Sequence, residues 1–337
     1  MIQILRHFLP VVIILVGVSC DTKSSKEQKT DSETKIVDEV VMISDQIIES
    51  PNNTDLYVKR AMIYSDRKLF DLAKRDIERA LTIDSTSSKL HTSMGEVFFR
   101  ANELRDSRLA FEKALEYDAG NTEAALKLAE TNFLLRRYPE AISSINMALR
   151  VNDRLPKGYF LKGFIYKEIG DTTLSKSSFQ TATEVNPEYY EAYMELGNLF
   201  AYEKNPIALE YFNTAIGIRP TSAEAHYHKG MYYQSVGETD KALETYRELI
   251  KADPKGFLGY YNSGYLYLVS DTAFETALAY FDTVLTLQPG HVDAMYNKGL
   301  CYEEMGNYAS AESIYRSVLE ADPQYTLAAM GLERLLD

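Results

Sequence analysis

The chain has 337 residues, 45% of them apolar and 25% charged, the composition of a packed fold rather than of a disordered polypeptide. Its 49 acids against 36 bases give a net charge of −13, the wrong sign for a surface that must neutralise phosphates, so no nucleic-acid partner is expected. Two cysteines, Cys20 and Cys301, stand at opposite ends of the chain, which excludes a disulfide framework and a cysteine-ligated zinc site.

Residues 1–19 read as a secretory signal. One cation, Arg6, precedes an apolar run from Phe8 to Val18, shorter than the ~20 residues of a membrane-spanning helix. The sequence Gly17-Val18-Ser19-Cys20 resembles a bacterial lipobox, with Gly17 where that motif usually has Leu. The resemblance implies that Cys20 becomes the first residue of the mature chain and carries acyl chains. The protein would then sit in a bacterial cell envelope, lipid-anchored to the inner or outer membrane. Each buried methylene contributes ~0.8 kcal/mol, so several chains together hold a protein on a bilayer. After Cys20, residues 21–35 carry no apolar side chain, and four acids cancel four lysines. Such a segment cannot offset its ordering entropy, so 20–35 reads as a lipidated cysteine with a flexible tether.

Residues 36–53 predict a capping helix. Ile36, Val40, Ile43 and Ile47 form a stripe, with Val37, Val41 and Ile48 beside it, and Pro51 follows. From residue 54 onward one unit recurs. A small residue appears at Ala61, Gly95, Ala129, Gly163, Gly197, Gly230, Gly264 and Gly299, at spacings of 34, 34, 34, 34, 33, 34 and 35. A second set follows, typically twelve, sixteen and nineteen residues later: Ala73, Ile77 and Ala80 in the first repeat, Ser175, Phe179 and Ala182 in the fourth. Pro187, Pro220, Pro254, Pro289 and Pro323 close repeats. The odd spacings arise between the small residue and the second set, which is where a turn must lie. Each half-repeat has helical period: Tyr193, Leu196, Gly197 and Phe200 share one face, and Leu209, Phe212, Ala215 and Ile216 another. A glycine inside a helix costs about 1 kcal/mol relative to Ala. Its recurrence at one phase predicts close helix approach, with the aromatic four residues earlier (Tyr57, Tyr159, Tyr193, Tyr260) packing across the gap.

This pattern resembles the tetratricopeptide repeat family: a large aromatic, Leu-Gly, Tyr, then Ala, Phe, Ala and Pro across 34 residues. The departures are Ser107 for the packing Ala, and Ala129 and Asn132 for Gly and Tyr. The resemblance implies an all-α fold, a right-handed α-solenoid of eight helix-turn-helix repeats over 54–325, with capping helices at 36–53 and 326–337. The last helix, Leu327 to Leu336, has few charges and a sticky outer side, though a monomer is favoured over a dimer.

No catalytic constellation is present, and neither an enzyme activity nor a cofactor is expected. His226 and His228 stand two apart, on different helix faces, and make a poor metal chelate. His226 occupies the packing aromatic's place and is expected in the core. Glu303-Glu304 reads as a solvated face. Cys301, in helical apolar surroundings, is expected to be a buried inert thiol.

In the resembled family the first helix of each pair lines the concave side. Its free face lies three residues before the small residue, then one and four after. Those places give a candidate peptide-binding groove of Phe99, Phe133, Phe160, Phe164, Met194, Asn198, Tyr227, Met231, Tyr261, Tyr265 and Tyr296, with Tyr202 beside it. Tyr and Met suit adaptable binding surfaces. Groove-side acids (Glu96, Glu123, Glu130, Glu191, Glu224, Asp293, Glu303, Glu304) outnumber bases. The carboxylate-clamp subset of the family needs Lys three before the small residue and Asn one after; Met194 with Asn198, or Tyr227 with Met231, does not supply it. The expected partner is therefore a protein or peptide with an apolar or aromatic segment, suited by basic residues, and the reading is an interaction scaffold. Two alternatives stay open: a structural subunit of an envelope secretion or assembly machine that uses its convex face, and a glycan or cell-wall binder.

Overall fold

The structure is a computed structural model that describes residues 39–270 and 273–336. The expected signal, Cys20, the tether and the first residues of the 36–53 cap lie outside the described residues. The chain divides into two units, Met1–Leu135 and Arg136–Asp337. In the first, α1 (39–49) precedes α2 (Thr54–Asp66), α3 (Phe70–Ile83), α4 (Ser88–Arg100), α5 (Leu104–Tyr117) and α6 (Thr122–Leu134). The second holds α7 (Tyr138–Val151), α8 (Pro156–Glu168), α9 (Thr172–Val185), α10 (Tyr190–Tyr202), α11 (Ala208–Ile218) and α12 (Ala223–Ser235). It continues with α13 (Thr239–Ala252), α14 (Leu258–Val269), α15 (Phe274–Leu287), α16 (Val292–Glu304), α17 (Tyr308–Ala321) and α18 (Thr326–Leu336). Within each unit a helix packs on its chain neighbours, and first helices also touch the next first helix, as α2 touches α4 and α14 touches α16. This is the predicted succession of helical hairpins.

Local chemistry sets the breaks. Asn53, Ser87, Asn121 and Ser222 each precede a first helix and accept a hydrogen bond from one of its first backbone N–H groups. Between the two helices of a hairpin, the residue seven after the small one adopts positive φ: Lys68 (60°), Asn102 (61°), Lys204 (55°), Gly170 (84°), Gly237 (80°) and Gly306 (72°). That single left-handed residue reverses the chain. In the 33-residue repeat, α11 begins at its packing Ala208, whereas the other second helices begin three residues earlier. The missing residue is absorbed at the turn, as the spacing predicts.

The core corrects one expectation. The ring that fills the space over each glycine is the second-helix aromatic about sixteen residues later. A Cβ built on Gly95 would lie 2.5 Å from Phe111, one on Gly163 2.6 Å from Phe179 and one on Gly197 2.5 Å from Phe212, each ring being fully buried. The first repeat trades sizes: Ala61 replaces Gly, and Ile77 replaces the ring in the same cluster. The aromatic four residues before the glycine packs beside that ring, Tyr193 on Tyr211 and Tyr260 on Tyr280, both at 6.4 Å, and several of these positions also reach the preceding turn. Tyr57 Oη donates to the Pro51 carbonyl at 3.0 Å and Tyr260 Oη to the Pro254 carbonyl at 3.4 Å. His226 Nε2 lies 3.1 Å from the Pro220 carbonyl. These residues tie the first helix to the turn that precedes it, and His226 is half-buried there rather than in the core.

Ser107, the departure from the packing Ala, donates its hydroxyl to the Gly95 carbonyl at 2.9 Å, and Ser175 does the same to Gly163 at 2.9 Å. A buried hydroxyl is thereby satisfied at a close helix crossing. At the two ends, Ile43 and Ile47 of α1 pack with Leu56 and Tyr57 while Val41 and Ile48 are exposed. On α18, Ala328 is buried against Tyr315, while Leu327 and Met330 face outward. Cys301 is fully buried, and burial pushes its thiol up to about 12. No described helix is long and apolar enough to cross a membrane.

Candidate functional site

The predicted residues all lie on first helices, and several of them also touch the second helix of their own repeat. In the unit Met1–Leu135, Phe99 is half-buried with Lys127 Nζ 5.4 Å from its ring centre. Lys127 also reaches Glu96 at 2.9 Å, and Arg100 Nε donates to Glu96 at 2.8 Å. Burial pushes the Glu96 carboxyl up, yet the hydrogen bonds from Lys127 and Arg100 hold it below the usual carboxylate value. Phe133 is half-buried on α6.

In the unit Arg136–Asp337 three of the four rings three before the small residue are closed in on two sides. Phe160 lies 5.5 Å from Phe179 of its own repeat and 4.9 Å from Tyr189 of the next. Tyr261 stacks 5.0 Å from His291 and lies 6.1 Å from Phe281. Tyr296 lies 5.7 Å from Tyr315 and 5.4 Å from Tyr325. Phe164 packs on Phe160 at 4.9 Å and under Lys167 at 5.4 Å. Met194 does not line the face: it is 3% exposed in a cluster with Phe212 and Tyr232. Asn198 and Met231 are half-buried, and the Met231 sulfur accepts from Tyr246 Oη at 3.3 Å. The openly presented rings are Tyr202, 84% exposed, and Tyr265, 39% exposed.

The acids expected to colour this face are largely engaged. Glu191 pairs with Arg219 at 2.6 Å, and Glu224 accepts from Tyr190 Oη at 3.1 Å. Asp293 accepts from Tyr325 Oη at 2.7 Å. Glu303 takes Arg334 at 2.9 Å and Tyr315 Oη at 2.5 Å, and the Arg334 hydrogen bond is the main reason its pKa is depressed. These carboxylates tie successive repeats together, which the sequence pattern does not show because the partners lie about 30 residues away. His228 packs against Phe212 and Tyr227, and burial holds its pKa below the ordinary value of 6.5.

One concavity was missed by reading the stripe. A cavity of about 380 Å³ opens where the start of α12, the end of α13 and the start of α14 meet. Ala223, Tyr227, Leu249 and Phe257 give it apolar walls, and Glu224, Asp253, Gly256 and Gly259 are also among its lining residues. Tyr227 is half-buried on its wall, and burial raises its hydroxyl pKa.

Family models described as tetratricopeptide repeat match residues 54–87, 92–157, 156–189, 223–255 and 268–335. The chain belongs to the tetratricopeptide repeat family. Among curated proteins it is similar to human Superkiller complex protein 3, 22% identical over 310 residues, covering 88% of this chain and 19% of that protein. It is also similar to human protein O-mannosyl-transferase TMTC3, 23% identical over 280 residues, 81% of this chain and 31% of that one. The chain thus spans less than a third of either relative. Among solved structures, part of a tetratricopeptide repeat-containing protein from Cytophaga hutchinsonii aligns with a TM-score of 0.62 at 20% identity, over 71% of this chain and 98% of that one. PilF of Pseudomonas aeruginosa aligns at 0.52 and 19% identity, over 61% and 94%. These likenesses show the repeat fold, a fold whose members mediate protein–protein interactions.

Proposed function

We propose that this chain is a non-catalytic interaction scaffold of a bacterial cell envelope, held on a membrane by acyl chains on Cys20, which binds an extended peptide or partner helix along its first-helix faces. The observation that carries the binding reading is the pair of Tyr202 and Tyr265, large rings left in solvent on the same faces whose other rings are packed. Exposed aromatic rings on a rigid scaffold supply contact area at little cost in side-chain entropy. The charge of −13 favours a partner with basic residues. The anchor reading rests on Gly17-Val18-Ser19-Cys20 and the apolar run before it.

Two measurements test the parts separately. Cys20→Ala should move the protein from the membrane to the soluble fraction; membrane retention would end the anchor reading. Crosslinking and pull-down from envelope extract should recover a protein whose capture falls at least about tenfold with Tyr202→Ala plus Tyr265→Ala. Undiminished capture by the double variant, or capture of nothing by the parent chain, would overturn the groove.

A further inference from the structure

The residue at the start of each first helix follows a register. It is Asn53, Ser87, Asn121, Leu155, Tyr189, Ser222, His291 and Tyr325 in eight places, and by register Gly256 in the ninth, where Phe257 stands directly before the helix. Where it is aromatic, its ring lies against the ring three before the small residue of the preceding repeat. Tyr189 meets Phe160 at 4.9 Å, His291 meets Tyr261 at 5.0 Å and Tyr325 meets Tyr296 at 5.4 Å. The sixth repeat offers Tyr227 for the same purpose, but the register partner is Gly256, and both line the open cavity. The molecule supplies a ring at three junctions and leaves the space for one at a fourth.

Two further details mark this junction. In other turns the acid or amide at the register of Asp253 caps the N–H two residues on, as Asp118 does to Gly120 at 2.8 Å and Asp322 to Gln324 at 3.0 Å. Asp253 instead accepts from Gly256 N, three residues on, at 3.0 Å, and is itself one of the residues lining the cavity. None of the cavity's lining residues is basic, and no lysine or arginine occurs between Lys255 and Lys298. An apolar opening with two acidic residues and no basic one in its lining suits a ring with a cation beside it. A dry cavity of about 150 Å³ holds benzene, so the 380 Å³ here admits the side chain of Phe, Tyr or Trp.

Resting on the groove reading above, we propose that this cavity is a socket for one aromatic side chain of the bound polypeptide, with a neighbouring lysine or arginine directed at Glu224 and Asp253. The incoming ring takes the place that Tyr189, His291 and Tyr325 occupy at their own junctions.

The probe is acetyl-Arg-Phe-Arg-amide, titrated into the full chain while the amide NMR signals of Gly256 and Gly259 are followed. Saturable shifts at both glycines are expected, at least about tenfold weaker with acetyl-Arg-Ala-Arg-amide or with acetyl-Glu-Phe-Glu-amide. Gly256→Tyr should abolish them in a chain that still folds: a Cβ there would lie 2.1 Å from the Asp253 carboxylate, which must swing to the N–H two residues on, the place Asn186 and Asp322 already take before Tyr189 and Tyr325. Asp253→Asn should weaken the arginine peptide and leave any affinity for acetyl-Ala-Phe-Ala-amide unchanged. Equal binding of the Phe and Ala peptides, shifts that bypass the two glycines, or shifts that survive Gly256→Tyr would overturn the socket. Glycine shifts that appear with the probe only after removal of residues 1–38 would assign the cavity to the chain's own segment and equally overturn it. The groove reading is judged apart from this: partner capture by Gly256→Tyr at parental strength would reject the socket and leave the groove standing.

Discussion

Single residues decide how closely the helices approach. At Gly197 an added Cβ would lie 2.5 Å from the buried Phe212 ring, so Gly197→Ala is expected to destabilise the chain by about 2 kcal/mol through overpacking. At Gly264 the nearest atoms, Tyr280 Cβ and the Phe281 ring, are 3.0 and 3.1 Å away. The helix-propensity gain of about 1 kcal/mol offsets that milder crowding, leaving Gly264→Ala near neutral. Urea midpoints of the two variants check the contrast, and equal losses would refute it. His228 gives a pH signature. Its folded pKa lies below the ordinary 6.5 because burial disfavours the cation, so the unfolded chain takes the proton first as pH falls. The stability His228 contributes is present above 6.5 and is lost as pH falls below that value toward its folded pKa. His228→Gln should flatten the decline in melting temperature between about pH 7 and pH 5 relative to the parent; an identical decline would place the titration elsewhere.

At the scale of the element, the register was fully legible, because a helix can be phased from side chains a few residues apart. Each predicted small residue lies inside a first helix, and both odd repeat lengths were correctly assigned to the turn. What was not legible involves partners far along the chain. The ring over each glycine comes from about sixteen residues on, and at Tyr57, His226 and Tyr260 the aromatic four before that place also reaches the carbonyl of the preceding turn. The candidate face suffered in the same way: Tyr189, His291 and Tyr325 cover Phe160, Tyr261 and Tyr296 from the next repeat, while Tyr202 stays open. Met194 is buried because it packs with Phe212 and Tyr232 in one cluster. The turns themselves carry a cost that sequence periodicity hides. Lys68 and Lys204 hold φ of 60° and 55°, a conformation costing an L-residue roughly 1–2 kcal/mol. Allowing for glycine's greater freedom when unfolded, Lys68→Gly and Lys204→Gly should each stabilise by about 0.5 kcal/mol. A loss in both would show that the lysine side chains themselves hold the turns.

At the scale of the molecule, stability is the sum of hairpins and of the faces they share with adjacent hairpins. Phe281→Ala removes a fully buried ring between α14 and α15, a change worth about 3–5 kcal/mol. Amide exchange should quicken in α14, α15 and α16 while α2 to α5, in the other unit, keep their protection; uniform quickening would contradict a neighbour-by-neighbour architecture. The positive-φ turns carry a final consequence. Because a lost residue is taken up where α11 begins, leaving Ala208 in its packing place, these reversals behave as splice points. Tags, epitopes or whole extra hairpins inserted there would add to a unit without re-phasing any of its helices.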